Sequence, residues 1–355
     1  MDFKAVDRIV NALLYEGYIL YPYRPSAVKN RQRFNFGTVF PEAFSEAQKG
    51  AEPCVMQTEV PVTAGPGTTV DVKVRFLHLI ARELGKVSAP RSGAAPGHEP
   101  CYEIVDFLES RGQLFRAWQE AAEREIDIPN IDLRELFIGG PRTFKFEFGA
   151  HQDIESLAGD DKNINGVIVR TQWQVAGAVE VSAESHTEHL CRLRVRIQNL
   201  TPLGAPGQLA RDAALMRSML SAHTILVVSR GEFVSLLEPP EYAAKAVASC
   251  QNIGTWPVMA GDEGERDCML SSPIILYDYP KIAPESPGDL FDGTEIDEIL
   301  TLRIMTMTGD EKREMRAVDE RARRILERTE NLSALDMDRL HGTFRTMRRS
   351  QEEGR

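Results

Sequence analysis

The sequence lacks the features that mark several common classes of protein. It contains no run of eighteen consecutive apolar residues, so we expect no membrane-spanning helix. It also has no P-loop, no glycine fingerprint for dinucleotides after a strand, and no G-x-S-x-G nucleophile elbow. These absences argue against familiar nucleotide-dependent and hydrolytic enzymes. They favour a protein that is not an enzyme and has no cofactor, without deciding the question.

Positive charge and cysteine are also scarce. The chain carries 42 basic and 53 acidic residues, a net charge of −11, which disfavours general affinity for nucleic acid. No signal-peptide pattern follows Met1. No two cysteines have C-x-x-C spacing, so we expect reduced, mostly buried thiols in a cytoplasmic protein. The five cysteines are Cys54, Cys101, Cys191, Cys250 and Cys268.

Alternation of apolar and polar residues is the strongest pattern present. It runs through 143–149, 166–175 and 190–197, apart from Ile168 and Leu190, and again through 70–76. We predict strands over 143–149, 166–182 and 190–199, and one that begins at residue 70 and extends towards Leu84. A period of two residues is typical of strands with one buried face. A helical stripe over residues 3–16 predicts an N-terminal helix. The fold prediction is therefore α+β, a large and mostly antiparallel β-sheet or β-sandwich with an N-terminal helix and a helical C-terminal segment.

Other segments are less regular: residues 18–22 and 33–40 are each predicted to form a short strand, and residues 87–100 a loop or hairpin tip. Residues 110–126 fit a helix and a strand about equally well. We predict a helix over 208–221, a hairpin from strands 224–228 and 233–237, a short helix from Pro239 to Cys250 and a last strand over 272–277. Capping-box spacing at Thr294 and Thr308 predicts two C-terminal helices.

Proline and glycine residues cluster near residue 205 and suggest a boundary between two regions of the chain. We predict a mainly antiparallel β domain with the N-terminal helix over 1–205 and an α+β region ending in two helices over 206–344. The charged tail 345–355 has few apolar residues, and we predict that it is disordered.

The best candidate for a metal site is a short histidine-containing segment. His186, Glu188, His189 and Cys191 are all of residue types that bind transition metals. Neighbouring strands would point His186 and His189 to opposite faces, although a turn could bring them together. Polar residues at a hairpin tip are the simpler interpretation, and a metal carrier or metal-dependent enzyme is the alternative.

A second candidate site is the aromatic and basic stretch 21–36. Tyrosine and arginine are favoured anchors at protein interfaces, and interleaved aromatic and basic residues also suit single-stranded bases or a small anion. Internal pairing with acidic C-terminal segments is the structural alternative. The predicted partner-binding residues are Tyr21, Tyr23, Arg24, Lys29, Arg31 and Arg33.

Two acidic clusters are interpreted as solvated or helix-capping residues. One spans 262–267, and it lacks the alternating ligand pattern of a calcium loop. The other precedes and opens a predicted helix, where negative charge complements the helix dipole. Its members are Asp289, Asp292, Glu295, Asp297 and Glu298.

Two stretches carry a family resemblance. NALLYEGYILYPYRPSAVKN (residues 11–30) and SPIILYDYPKIAPESPGDLFDGTEIDEIL (residues 272–300) resemble uncharacterised bacterial proteins encoded near nickel–iron hydrogenases and their maturation factors. The resemblance implies a non-enzymatic cytoplasmic accessory protein that assists hydrogenase assembly through contacts with a protein partner. It assigns no catalytic residue. An amphipathic C-terminal helix could also pair with its twin in a homodimer.

Overall fold

The computed structural model describes residues 3–16, 18, 36–87, 101–158, 164–281, 297–318 and 320–332. The fold is α+β with one large antiparallel sheet, as the sequence predicts. The helices are α1 Phe3–Leu14, α2 Glu42–Ala47, α3 Leu133–Gly139, α4 Arg211–Leu215, α5 Ala244–Ala248, α6 Asp297–Met305, α7 Gly309–Arg316 and α8 Glu320–Glu330. The strands are β1 Val55–Val87, β2 Tyr102–Val105, β3 Phe107–Ser110, β4 Gln113–Arg116, β5 Trp118–Asp132, β6 Arg142–Phe148, β7 His151–Ala158, β8 Ile164–Gln172, β9 Val175–Ser185, β10 Leu190–Asn199, β11 Leu220–Phe233, β12 Trp256–Met259 and β13 Cys268–Ser272.

The long strand β1 organises the sheet. Strands β10, β5 and β2 pair in turn along one of its edges, and β11 and β8 pair along the other. The main strand order is β12-β13-β11-β1-β10-β9-β6. The pairing register with β11 shifts between Ala64 and Thr69, around Gly67, whose φ of 75° favours glycine.

Beyond this register shift, side chains of β10, β9 and β6 pack against the second half of β1. Phe76 of β1 is fully buried, and its ring centroid lies 5.8 Å from that of Phe148 and 6.3 Å from that of Phe146. The alternating apolar residues of β1, β9 and β10 fill the same core cluster. The sheet therefore encloses an apolar layer in the manner of a sandwich.

Helices cover the remaining apolar surface. Val6 and Val10 of α1 pack on Val258 and Leu270 of β12 and β13. Residues of α7 and α8, including Ile325, join a second core cluster with the odd-numbered residues Leu77 and Leu79 of β1. The capping box predicted at Thr308 is present, with the Thr308 hydroxyl accepting from the Glu311 amide at the start of α7.

The structure shows how residues 110–126 fold and corrects several predictions before residue 205. Within residues 110–126 the chain forms the β3–β4 hairpin and the start of β5, with no helix, and β5 is a strand because β1 offers it a partner over thirteen residue pairs. The predicted strand 166–182 is two strands, with a break at Trp173 and Gln174. Trp173 therefore leaves the shared strand face that contains Val175 and packs beside Arg217, whose guanidinium lies 5.2 Å from its ring centroid.

The corrections after residue 205 have the same physical origin. The helix predicted over 208–221 is reduced to α4, and the hairpin predicted over 224–237 is wrong. Instead β11 continues to Phe233, because β1 pairs with it as far as that residue. The last strand ends at Ser272 and does not extend to residue 277. The short helix after Pro240 is confirmed, and the C-terminal part contains three described helices instead of two.

The predicted regions 1–205 and 206–344 share this sheet, since β11 follows the boundary and pairs with β1, which precedes it. Of the strand predicted at 33–40, the described part has only a bridge at Val39. The predictions for 18–22, for most of the loop 87–100, for the cap at Thr294 and for the tail 345–355 lie outside the described residues.

Candidate functional site

The predicted metal-binding residues lie at the turn between β9 and β10. His186, Glu188 and His189 are exposed there, and the amides of His186 and Thr187 both donate to the carbonyl of Leu190. The Nε2 atom of His186 lies 3.3 Å from the Ser249 hydroxyl oxygen. The histidines thus occupy a tight, solvated hairpin tip.

Cys191 is separated from this turn by its burial. Its side chain belongs to the core, and burial raises the pKa of its thiol to about 11, so the thiol is protonated at neutral pH and ligates metals poorly. In the part of the chain that the structure describes, no group of three or more His, Cys, Asp or Glu residues is placed to hold a metal ion. Metal binding stays a prediction, which elemental analysis of the untagged protein for zinc, nickel and iron would check.

The predicted partner segment lies outside the described residues. This holds for Tyr21, Tyr23, Arg24, Lys29, Arg31 and Arg33, and also for Asp289, Asp292 and Glu295 of the second acidic cluster. Residues 262–266 of the first acidic cluster form an exposed connection between β12 and β13, whereas Asp267 is half-buried. The Glu263 carboxylate lies 3.5 Å from the Lys281 ammonium, with both side chains exposed, as expected of a solvated loop.

The structure reveals a different candidate site, an apolar recess beside the edge strand β12. Its volume is about 200 Å³. Leu237, Trp256 and Ile275 line it and are 52%, 46% and 73% exposed, and the neighbouring Ile253 and Tyr277 are exposed as well. Such a concentration of large apolar side chains on a surface is typical of an interaction site. The remaining lining residues are Leu236, Asn252, Gly254, Thr255, Pro257, Val258 and Leu276.

The strand beside the recess is closed to further strand pairing. The Ala260 amide donates to β13. The backbone groups of the alternate residues Pro257 and Met259 therefore point away from β13, towards the open edge of the sheet. Pro257 has no amide hydrogen. The Met259 amide donates to Asp278 Oδ1 at 2.8 Å, and its carbonyl accepts from the Tyr279 amide at 2.8 Å. A partner would therefore bind through side chains and not by adding a strand.

A buried carboxylate fixes one wall of the recess. Glu59 of β1 is 1% exposed, and its side chain accepts from Arg194 Nε at 2.6 Å and from the Gln251 amide at 2.8 Å. The Glu59 amide donates to Asn252 Oδ1 at 2.7 Å. Because these bonds connect the sheet to residues 251–252, the loop that leads to Trp256 has a defined position.

Asp278 fixes the opposite wall. Its Oδ2 accepts from the Ser235 hydroxyl at 2.6 Å, while its Oδ1 accepts from the Met259 amide. The Ser235 oxygen in turn accepts from the amides of Leu237 and Glu238. The exposed apolar side chains are therefore held on a hydrogen-bonded frame, which lowers the entropy that binding would cost.

Sequence reasoning did not find this recess. The apolar run containing Ile275 and Tyr277 was interpreted as a strand, in which alternate residues would be buried. Only the end of β13 at Ser272 shows that these side chains project into solvent. The sequence signal was an apolar run that also contains Pro273, which is unfavourable within a central strand.

Among the described residues, no helix is both long enough and apolar enough to cross a membrane. Comparisons with protein-family models, with curated proteins and with solved structures each found no match.

Proposed function

We propose that this chain is a non-enzymatic accessory protein that assists assembly or maturation of a nickel–iron hydrogenase by binding a protein partner. The observation that carries the proposal is the pre-formed apolar recess around Trp256 and Ile275. The hydrogenase assignment depends on the family resemblance of residues 11–30 and 272–300. The second of these stretches contributes Ile275 and Leu276 to the recess, so the segment that carries the resemblance also forms part of the proposed binding surface.

The recess suits a side chain of a partner better than a free small molecule. Small-molecule pockets usually have volumes of roughly 300–1,000 Å³, and this one is smaller. Exposed Glu238 lies next to Leu237, and the whole chain carries a net charge of −11. We therefore expect the partner to insert one large apolar side chain that is flanked by basic residues, because such a segment complements both the recess and the surrounding charge.

The test compares two substitutions of equally exposed isoleucines. Ile275→Glu places a charge in the recess, whereas Ile138→Glu makes the same change on α3, where the side chain is 77% exposed and does not line the recess. Both variants should keep the melting temperature of the original protein, since neither side chain is buried. Each would be expressed in the native host and purified together with its bound proteins.

The expected result is that the original protein and Ile138→Glu retain a hydrogenase subunit or maturation factor, and that Ile275→Glu loses it. Hydrogenase activity in the host should fall with Ile275→Glu alone. Identical hydrogenase-related partners for both variants would contradict the role of the recess. A dimer of the purified protein that Ile275→Glu dissociates would instead assign the recess to contact between two copies.

A further inference from the structure

A second recess lies between α1, α8 and β5, and its lining is polar and charged. Its volume is about 290 Å³, close to the lower end of small-molecule sites at roughly 300 Å³. Helix α1 supplies the Asn11 amide, Tyr15 directly follows that helix, and β5 supplies the Glu123 carboxylate, while α8 supplies arginines and an apolar floor. The lining residues are Asn11, Tyr15, Glu123, Arg321, Arg324, Ile325 and Arg328.

The one carboxylate of this lining is already neutralised. Glu123 accepts from the Tyr15 hydroxyl at 2.8 Å, from Arg75 Nη2 at 3.0 Å and from Arg321 Nη2 at 3.0 Å. Burial is the largest single influence and opposes its ionisation, but the hydrogen bonds from Arg321 and Tyr15 and the charges of Arg321 and Arg75 together outweigh it and hold the pKa of Glu123 below its usual value. Glu123 is therefore ionised and engaged in the wall of the recess.

The arginines share one side of their helix. Residues 321, 324 and 328 are separated by three and four positions, the spacing that aligns side chains on one face of an α-helix. Arg321 is held in place by Glu123 and by the Tyr15 ring, whose centroid is 3.6 Å from the guanidinium carbon. Three cations and one carboxylate line the recess, so its described lining has an excess of two positive charges in a protein of net charge −11.

We propose that this recess binds a small ligand bearing a doubly charged oxyanion, either a phosphate group or a pair of carboxylates. Guanidinium groups offer planar pairs of N–H donors that match phosphate and carboxylate oxygens. Arg321 is oriented by its contacts with Glu123 and Tyr15, and Arg324 and Arg328 lie along the same face of α8. Ile325, which is 3% exposed, closes the floor with an apolar surface. The site is separate in composition from the apolar recess and does not depend on its role.

The test measures binding of sodium phosphate and sodium malonate to the full chain by calorimetry at low ionic strength. Sodium chloride at matched ionic strength is the blank, and the two oxyanions distinguish phosphate from dicarboxylate chemistry. Arg324→Gln removes a charge from the recess. Arg323→Gln is the matched control, since it removes the same charge from the same helix at a side chain that pairs with Glu320 and does not line the recess.

The expected result is saturable binding of at least one oxyanion, weakened about tenfold or more by Arg324→Gln and less than twofold by Arg323→Gln. Arg328→Gln provides a second removal of charge if Arg324→Gln fails to fold. Equal weakening by Arg323→Gln, or no saturable binding, would overturn the proposal. Binding that appears only after Asp289→Asn and Asp292→Asn would also overturn it, because the recess would then belong to an acidic segment of the same chain.

Discussion

Replacing His78 with leucine should make the protein less sensitive to acid. His78 lies on β1 and is fully buried, and neither ring nitrogen has a hydrogen-bond partner. Burial, together with the nearby positive charge of Arg124, lowers the pKa of His78 to about 4. The backbones of Trp173 and Met216 favour the protonated ring but complete no hydrogen bond with it.

The magnitude follows from the difference between the folded and unfolded pKa values. The unfolded chain binds a proton at His78 near pH 6.5, whereas the folded chain does so near pH 4. Above pH 6.5 His78 is neutral in both states and has no effect on the pH dependence of stability. As the pH falls from 6.5 towards 4, the unfolded chain binds a proton that the folded chain does not, so the free energy of unfolding falls. Proton linkage at a single site of this kind reduces the free energy of unfolding by about 2 kcal/mol between pH 7 and pH 5.

His223 provides the matched control. It is also fully buried, and burial lowers its pKa to about 4. Unlike His78, it is hydrogen-bonded, with Nδ1 donating to the Ser221 carbonyl at 2.7 Å and Nε2 accepting from the Ser272 hydroxyl at 3.2 Å. Both histidines should lower the free energy of unfolding as the pH falls from 7 to 5. Each single variant should therefore show about half of the histidine-dependent loss of unfolding free energy.

The assay is urea denaturation followed by circular dichroism at intervals between pH 7 and pH 5. His78→Leu should be as stable as the original protein at pH 7, or more stable by about 1–3 kcal/mol, because it removes unpaired buried polar atoms. His223→Leu should be less stable at pH 7 by about 1–3 kcal/mol, because two hydrogen bonds are lost. The reasoning would be refuted if His78→Leu kept the original pH dependence, or if it were the less stable of the two variants at pH 7.

Two further predictions concern the frame of the sheet. Gly177→Ala should reduce the free energy of unfolding by about 1–3 kcal/mol, because the new Cβ would lie 2.4 Å from the Gln198 carbonyl oxygen on the paired strand. Gly149→Ala, where nothing lies within 4 Å, is the control, and equal losses in thermal denaturation would contradict the argument. Glu59→Gln should cost about 2–3 kcal/mol in urea denaturation, since it removes the charge from a buried carboxylate that pairs with the partly exposed Arg194. An unchanged midpoint would show that this carboxylate does not hold residues 251–252.

The local patterns were sufficient to predict the main elements. Alternation at 143–149 and 190–199 predicted strands because each has one buried face, and the structure has strands there. The stripe over 3–16 and the capping spacing at Thr308 likewise predicted α1 and the start of α7. These signals need only the neighbouring residues, which is why they can be recognised without knowledge of the fold.

Other assignments needed partners distant in sequence. Residues 110–126 have a helical spacing of apolar residues, yet those from Trp118 onwards form β5 because β1 pairs with them. Residues 229–232 resemble a turn, yet β11 continues through them while Glu232 and Phe233 still pair with β1. In both cases, hydrogen bonds to a distant strand outweigh the local preference.

The amino-acid sequence by itself determined that this chain forms an antiparallel sheet with helices at both ends, because strand and helix periodicity are local properties. Tertiary structure alone decided where the surface is apolar and where it is positively charged. The recess at Trp256 combines three separate segments between residues 236 and 276, and the arginine-lined recess at Arg324 combines elements far apart in the chain. Their formation depends on β1, whose pairing along both edges sets the order of the strands and thereby brings those elements together.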